Sequence, residues 1–210
     1  DHFVAYGYAE AEWLRRWLGD EDKVSFVPFG VDTEKWRPAE MPHERIDVLS
    51  IGSDSMRDFR LLVDYAKDHP TASVCVVTGP ECVAVMGKVP PNIQVKVRVP
   101  VEQVKDLIAQ SKTVVLPVRE NTYSGATTTL LQCMAMGKAV AVSRVGAISE
   151  GYGLVDGVNM RWMRPDSIDS LTEAVGDLLG DPGARRRLGE MARQHVVRDL
   201  NMKCYVDRLE

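Results

Sequence analysis

Residues that could bind a phosphate group occur together in the stretch 124–142, where a turn of small residues leads into a predicted helix. The turn and the start of the helix consist of Ser124, Gly125, Ala126, Thr127, Thr128 and Thr129. The first turn of a helix has N–H groups without intrahelical partners, and the helix dipole favours negative charge there. The threonine hydroxyls supply further hydrogen-bond donors. The stretch therefore predicts a site for a phosphate or diphosphate, and the alternative is that these residues only cap the helix.

A second candidate for phosphate binding is the loop 52–59, which follows a predicted strand and contains Gly52, Ser53 and Arg57. The planar guanidinium of arginine makes bidentate, charge-assisted hydrogen bonds to phosphate. A positive charge at the start of a helix is opposed by the helix dipole, so a bound anion would explain an arginine there. The alternative is that Arg57 is an ordinary surface residue. Arg60 is a weaker candidate for the same role.

Alternating apolar runs and amphipathic segments predict the elements that position these loops. Strands are predicted at 2–6, 24–29, 46–52, 73–79, 93–97, 114–116 and 139–142. Helices are predicted at 9–18, 58–67, 101–111, 127–136, 167–179, 184–197 and 202–209. Such alternation is typical of an α/β fold, with a parallel sheet, right-handed crossovers and helices on both faces.

The predicted topology brings the candidate loops together. In open α/β sheets, ligands bind beyond the carboxyl ends of the strands. The loops 52–59, 97–100 and 124–129 each follow a predicted strand, so we expect them at the same edge of the sheet. A single nucleotide could contact all three.

Composition limits the classes of function. The chain has 210 residues, of which 45% are hydrophobic and 27% charged, as in an ordinary globular protein. Its net charge of −4 disfavours nucleic-acid binding, which needs a strong basic excess. No apolar run is long enough to span a bilayer. A G-x-G-x-x-G sequence is absent after the strand 46–52, which weighs against NAD binding.

The cysteines and histidines do not indicate a metal site. The cysteines are scattered without C-x-x-C pairing, at Cys75, Cys82, Cys133 and Cys204. The histidines lack the spacing of metal ligands, at His2, His43, His69 and His195. We therefore predict no metal and no cofactor, and the unpaired cysteines favour a cytoplasmic location.

Two motifs carry a resemblance to a known family. The segment 132–140, Gln-Cys-Met-Ala-Met-Gly-Lys-Ala-Val, resembles the second part of the motif of GT-B nucleotide-sugar-dependent glycosyltransferases, specifically the retaining family four. That motif has Glu, seven residues, Glu, and then Ala-Met-Ala-x-Gly-x-Pro-Val. Ser124 and Gln132 occupy the two acidic positions here, which leaves the donor-sugar contacts open. The segment 28–32, Pro-Phe-Gly-Val-Asp, is similar to the interdomain connection of the same family.

The resemblance implies a domain organisation. Residues 1–42 would be the end of an N-terminal domain and the interdomain linker, and 43–197 the Rossmann-like domain that binds a nucleotide sugar. Residues 198–210 would form a C-terminal helix that packs toward the N-terminal domain. We therefore expect the chain to be the C-terminal half of a GT-B fold, with most of the N-terminal domain missing.

The resemblance also implies roles for individual residues. Arg57 would pair with the diphosphate and is the predicted catalytic residue, whereas Ser53 stands where another basic residue often lies. The base would lie at Arg98 and Val99, with Arg98 stacking on it; an ordinary strand end is the alternative. Gln132 would contact the ribose through an amide that accepts and donates hydrogen bonds; otherwise it is a polar residue of the helix face.

The acidic and aromatic side chains upstream of the turn complete the predicted site. Glu120 and Tyr123 could reach the sugar, Glu120 partly replacing the missing acid, while Arg119 competes as a phosphate partner. The full set of predicted nucleotide-sugar-binding residues is Gly52, Ser53, Arg57, Arg98, Val99, Glu120, Tyr123, Ser124, Gly125, Ala126, Thr127, Thr128 and Gln132.

The implied activity is transfer of a sugar from a nucleoside diphosphate sugar to a sugar, lipid or small-molecule acceptor, with retention and without a metal. The acceptor would lie mostly on the missing N-terminal domain, so we expect this chain to bind its donor weakly and to be inactive alone. Peripheral membrane association of the full protein is a further expectation. The alternatives are a non-catalytic nucleotide- or sugar-binding module and a sugar-nucleotide epimerase of GT-B type.

Overall fold

The computed structural model describes residues 1–40, 43–123 and 125–210. Ser124, one of the predicted site residues, lies outside the described residues. So does position 42, the predicted end of the linker.

The chain begins with a small unit built from two parallel strands and a helix. Strand β1 (Phe3–Ala5) pairs with β2 (Val24–Phe26), and helix α1 (Tyr8–Leu18) connects them, followed by a 3-10 turn at Glu21–Lys23. Leu14 and Leu18 of α1 pack against the small core of this unit. The helix ends at a glycine with φ of 66°, a left-handed conformation that glycine adopts without strain.

The main sheet has six parallel strands in the spatial order β5-β4-β3-β6-β7-β8. Their bounds are β3 Ile46–Ile51, β4 Val74–Thr78, β5 Ile93–Val97, β6 Ser111–Leu116, β7 Ala139–Ser143 and β8 Arg161–Met163. The order changes direction between β3 and β6, since β4 and β5 lie to one side of β3 and β6, β7 and β8 to the other. The predicted α/β class with an open parallel sheet is confirmed.

Helices cover both faces of this sheet. Helices α2 (Phe59–Asp68), α3 (Pro80–Met86) and α6 (Ile168–Gly180) contribute to the core on one face. Helices α4 (Val101–Gln110), α5 (Thr127–Ala135) and α7 (Pro182–Asp199) contribute to the core on the other. Alternation along the strands divides the side chains between the faces: Val48 joins the first core, and Leu49 the second. Burial on both sides fixes the register of the strands and hence the positions of the loops that follow them.

A buried tyrosine joins the N-terminal unit to the main domain. The Tyr152 hydroxyl donates to the carbonyl of Tyr6 at 2.5 Å and accepts from the backbone N–H of Phe29 at 3.0 Å. Burial raises the pKa of Tyr152 to about 12. The last helix, α8 (Met202–Asp207), also contacts this region, because the hydroxyls of Tyr205 and Tyr6 are 3.0 Å apart.

At the opposite edge of the sheet, where the strands begin, the side chain of Asp47 connects neighbouring strands. Asp47 accepts hydrogen bonds from Lys112 Nζ and from the backbone N–H of Ser73, each at 2.7 Å. Partial burial raises the pKa of Asp47, but the hydrogen bonds with Lys112 and Ser73 outweigh it and hold the pKa below its ordinary value. These contacts link β3 with the starts of β4 and β6.

Within the described residues, no helix has the length and apolar character needed to cross a membrane.

Candidate functional site

A cleft of about 550 Å³ opens at the carboxyl ends of β3, β4 and β5 and at the start of α5. It brings together seven of the predicted residues: Gly52, Ser53, Arg57, Arg98, Val99, Tyr123 and Gly125. It is also lined by polar residues outside the full set of predicted nucleotide-sugar-binding residues: Asp54, Thr78, Glu81 and Thr129. The three predicted loops therefore meet at one edge of the sheet.

A larger depression of about 650 Å³ lies at the opposite edge, near Ser73, Asn92 and Gln110. This edge holds the amino ends of the strands. Ligands of open α/β sheets bind beyond the carboxyl ends, at the point where the strand order reverses. We therefore assign the functional site to the 550 Å³ cleft, which begins at β3, next to that point.

Arg57 forms part of the floor of the cleft. Its side chain is only 1% exposed, and its Nε donates to Asp54 Oδ2 at 2.7 Å. Its Nη1 has no hydrogen-bond partner among the described residues. Burying a guanidinium nitrogen without a partner is costly, and a ligand oxygen at this position would remove that cost.

Neighbouring backbone fixes the position of the Arg57 guanidinium. The loop before α2 is attached to the end of β6, since the N–H of Asp58 donates to the Pro117 carbonyl at 3.0 Å. Arg57 itself forms an isolated antiparallel bridge with Val118. The guanidinium lies directly against Gly52, where a Cβ would collide with it. Arg57 is thus held between the ends of β3 and β6.

The start of α5 forms the second wall of the cleft. The N-cap residue is Ala126, and no side chain of a described residue caps the helix. Thr127 is buried, Thr128 is exposed, and Thr129 is the threonine that lines the cleft. The Thr127 hydroxyl has no hydrogen-bond partner within the described part of the chain. The alternative that Ser124 and the threonines only cap the helix includes Ser124, which lies outside the described residues.

Unpartnered buried polar atoms concentrate at this edge. In the described ranges, five buried side-chain nitrogen or oxygen atoms lack a partner: Ser50 Oγ, Arg57 Nη1, Thr78 Oγ1, Thr127 Oγ1 and Arg161 Nε. The first four belong to the ends of β3 and β4, the loop after β3, and the start of α5. Most buried polar groups in folded proteins are paired, so this grouping favours a polar ligand.

The far end of the cleft is formed by the turn after β5. Arg98 is exposed and has a φ of 51°, the left-handed conformation that non-glycine residues seldom adopt. Its N–H donates to the Thr78 carbonyl at 3.3 Å, and the half-buried Val99 packs against the core below. Strained backbone of this kind is common at binding sites.

Tyr123 covers part of the start of α5. It is 56% exposed, and its ring lies so close to Gly125 that a Cβ there would collide with it. The Tyr123 N–H donates to Asn121 Oδ1 at 2.8 Å, which orders the loop in front of the helix. Tyr123 thus lines the cleft, where it can reach a ligand.

Several other predicted residues do not line the cleft. Glu120 is exposed, and its Oε1 accepts a hydrogen bond from the N–H of Gly146 at 3.1 Å. Gln132 is half-buried on α5, more than one turn from its start. Arg119 lies 3.4 Å from Asp58 Oδ1, an ion pair that competes with phosphate binding. Arg60 is exposed on α2.

Among the described residues, neither the Cys133 thiol nor a metal-binding cluster indicates further chemistry near the cleft. Burial raises the pKa of the Cys133 thiol to about 12, although the nearby Arg57 and Lys138 charges oppose the shift, so the thiol is neutral and unreactive. In the part of the chain that the structure describes, no three His, Cys, Asp or Glu residues are grouped to hold a metal ion.

The residues Thr78, Gly79 and Glu81 could have been selected from the sequence. Thr78 and Gly79 end the predicted strand 73–79 and Glu81 follows it, so the rule that selected the other three loops also applies to them. They were missed because this loop contains no arginine and no run of hydroxyl residues, and because α3 was not predicted.

Solved structures share this architecture. HepE from Anabaena in complex with UDP-glucose superimposes with a TM-score of 0.82 at 13% identity, covering 99% of this chain and 62% of that chain. The sucrose-phosphate synthase of Thermosynechococcus elongatus gives a TM-score of 0.80 at 19% identity, covering 98% of this chain and 56% of that chain. The fold is therefore the Rossmann-like half of a GT-B architecture.

The sequence comparison identifies the family. Residues 54–181 match the family model described as glycosyl transferases group 1. The chain belongs to this glycosyl transferase group 1 family. It is also similar to an MMP α-(1→4)-mannosyltransferase of Mycolicibacterium hassiacum, with 26% identity in an alignment of 187 residues that covers 84% of this chain. The chain spans 44% of the length of that relative.

Proposed function

We propose that this chain is the donor-binding part of a retaining glycosyltransferase of family four, with a nucleoside diphosphate sugar as donor. The observation that carries the proposal is the buried Arg57 Nη1, which lacks a partner among the described residues and lies in the cleft next to the start of α5. A guanidinium and a helix N-terminus are both complementary to a diphosphate. Neighbouring structures with UDP-glucose and UDP support a nucleotide ligand.

The residues of the cleft suggest how a donor would be bound. The diphosphate would lie between Arg57 and the N–H groups of α5, and the base at the turn of Arg98 and Val99. Gln132 would lie near the ribose. Glu120, oriented by the Gly146 N–H, would approach the sugar from the side of β7.

The chemistry requires stabilisation of a leaving group. Transfer breaks the bond between the anomeric carbon and a β-phosphate oxygen, and the nucleoside diphosphate leaves with both electrons. Arg57 and the α5 dipole would stabilise the growing negative charge. Removal of one such donor in other enzymes costs about 3–4 kcal/mol of transition-state stabilisation. No described residue needs to act through a metal in this scheme.

The remaining part of the protein would complete the enzyme. We place the acceptor, a sugar, lipid or small molecule, mostly on an N-terminal domain of which residues 1–42 are the end. Residues 43–197 would form the donor domain, and residues 198–210 would pack toward the N-terminal domain. We expect a cytoplasmic protein, with peripheral membrane association of the whole protein, and weak donor binding without turnover by this chain alone.

A non-catalytic nucleotide-binding module is the second candidate. Ser124, Gln132 and Ser53 replace charged residues of the family pattern, which favours this alternative. Turnover by the full-length protein would exclude it. NMR analysis of the anomeric configuration of donor and product would then test retention directly, and an inverted product would contradict the proposed mechanism.

Donor binding can be tested on the present chain by thermal shift with UDP, GDP, TDP and ADP. A ligand that binds only the folded state stabilises it by RT ln(1 + [L]/Kd), so millimolar nucleotide reveals even weak binding. We expect at least one nucleotide to raise the Tm of the wild type. The absence of a shift with all four would overturn the proposal.

A further inference from the structure

We propose that the base-binding end of the cleft selects guanine, through the carboxylate of Glu81. This inference rests on the proposed nucleotide site and extends it to the identity of the base. It starts from the position of one carboxylate that no other part of the site uses.

Glu81 is in the first turn of α3, directly after β4. Its side chain folds back toward the sheet edge, because Glu81 Oε2 lies 3.0 Å from the position that a Cβ on Gly79 would occupy. The Cβ of Ser53 is 3.4 Å from that same position, so the carboxylate lies beside the loop after β3. Glu81 therefore lines the cleft rather than pointing away from it.

The carboxylate is available to a ligand. Within 1–40, 43–123 and 125–210, the Glu81 side chain forms no hydrogen bond or ion pair. The other carboxylate of the cleft, Asp54, is already occupied by Arg57 Nε at 2.7 Å and by the N–H of Met56 at 3.1 Å. Among the described carboxylates that line the cleft, Glu81 is thus the one left open, and an ionised carboxylate can only accept hydrogen bonds.

The chemistry of the bases distinguishes among the candidate nucleotides. Guanine carries two adjacent donors, N1–H and N2–H₂, which a carboxylate can accept together. Uracil and thymine carry one N–H between two carbonyl oxygens, which a carboxylate repels. Adenine places an acceptor, N1, next to its amino group. Glu81 follows β4, the strand between β3 and β5, so it lies between the loop after β3 and the turn after β5. A free carboxylate there favours guanine, with Arg98 and Val99 forming the surface on which the ring lies.

Isothermal titration calorimetry with GDP, IDP, UDP and ADP tests this selection. We expect the wild-type chain to bind GDP about 10- to 100-fold more tightly than UDP or ADP, the range that a bidentate base contact provides. IDP lacks the 2-amino group, so its affinity should lie between those of GDP and UDP. Glu81→Gln should weaken GDP binding about 10-fold and leave the affinities for UDP and ADP within twofold of the wild-type values. Glu173→Gln, on exposed α6 surface, is the matched control and should change nothing.

The outcomes separate this inference from the proposed function. If UDP or ADP binds as tightly as GDP, or if Glu81→Gln weakens all nucleotides equally, the guanine assignment is wrong and the donor site stands. If no nucleotide binds the wild type, both fail. A lower Tm for Glu81→Gln with unchanged base preference would show that Glu81 only stabilises the start of α3.

Discussion

Replacement of Arg57 by methionine separates a ligand-binding arginine from a structural one. Arg57→Met keeps most of the side-chain volume but removes the charge and the unpartnered Nη1. The Arg57 guanidinium carries the cost of a buried nitrogen without a partner, and methionine removes that cost. The change also releases Asp54, which is 24% exposed and can be hydrated. We therefore expect the free energy of unfolding to change by less than about 1 kcal/mol.

Nucleotide binding should respond very differently. Hydrogen bonds to charged groups contribute about 1.5–3 kcal/mol each, so loss of the Arg57 contact should weaken binding at least about 10-fold. The assays are urea denaturation for stability and titration calorimetry with a nucleoside diphosphate for affinity. Arg60→Met, on the exposed surface of the adjacent helix, is the control and should retain the wild-type stability and nucleotide affinity.

Two results would refute this reasoning. Unchanged nucleotide affinity in Arg57→Met would remove Arg57 from the site. A loss of stability above about 3 kcal/mol would show that Arg57 is a structural residue, as expected when one member of a buried ion pair is removed.

Three further predictions concern contacts elsewhere in the structure. Gly52→Ala should displace the Arg57 guanidinium and weaken nucleotide binding in calorimetry, whereas Gly176→Ala, which has open space around it, should not. Tyr152→Phe should lower the free energy of unfolding in urea by about 1–3 kcal/mol, because two backbone groups of the N-terminal region lose their partner. Asp47 has a lowered pKa in the folded state, so its stabilisation is present above its unfolded pKa of about 3.9 and is lost as pH falls through the folded value. The free energy of unfolding, measured by urea denaturation at a series of pH values, should therefore fall less in Asp47→Asn than in the wild type between about pH 5 and pH 2.

Each of these predictions has a clear contrary result. Wild-type nucleotide affinity in Gly52→Ala would mean that the arginine can move without consequence. Unchanged stability in Tyr152→Phe would mean that water replaces the hydroxyl. An acid transition identical to that of the wild type in Asp47→Asn would assign the loss of stability at low pH to other carboxylates.

The sheet was predictable because its strands are strongly apolar and its helices are amphipathic. Strand 93–97 was predicted at its observed bounds, and the starts of α4 and α5 were also correct. Strand β6 begins at Ser111, three residues before the prediction, because Ser111 and Thr113 are buried and hydrogen-bonded in spite of their polarity. Strand β8 was missed, since it has only three residues and begins with Arg161. Tertiary pairing with β7, rather than its own pattern, makes it a strand.

The site was predictable where topology alone decides position. Arg57, Arg98 and Gly125 lie together because each follows a strand of one parallel sheet. Burial and orientation were not predictable: nothing in the sequence indicates that the Arg57 side chain would be enclosed or that Arg119 would approach Asp58. Helix α3 was missed because the run 80–86 is short, and with it Glu81.

The central claim is that a nucleoside diphosphate binds at the carboxyl edge, between Arg57 and the start of α5. Backbone amide NMR of the chain during titration with GDP and UDP tests this position most directly. We predict that the largest shift changes occur at Gly52, Val99 and Thr127–Thr129. Changes concentrated at Ser73 and Asn92, around the 650 Å³ depression of the opposite edge, would contradict the account.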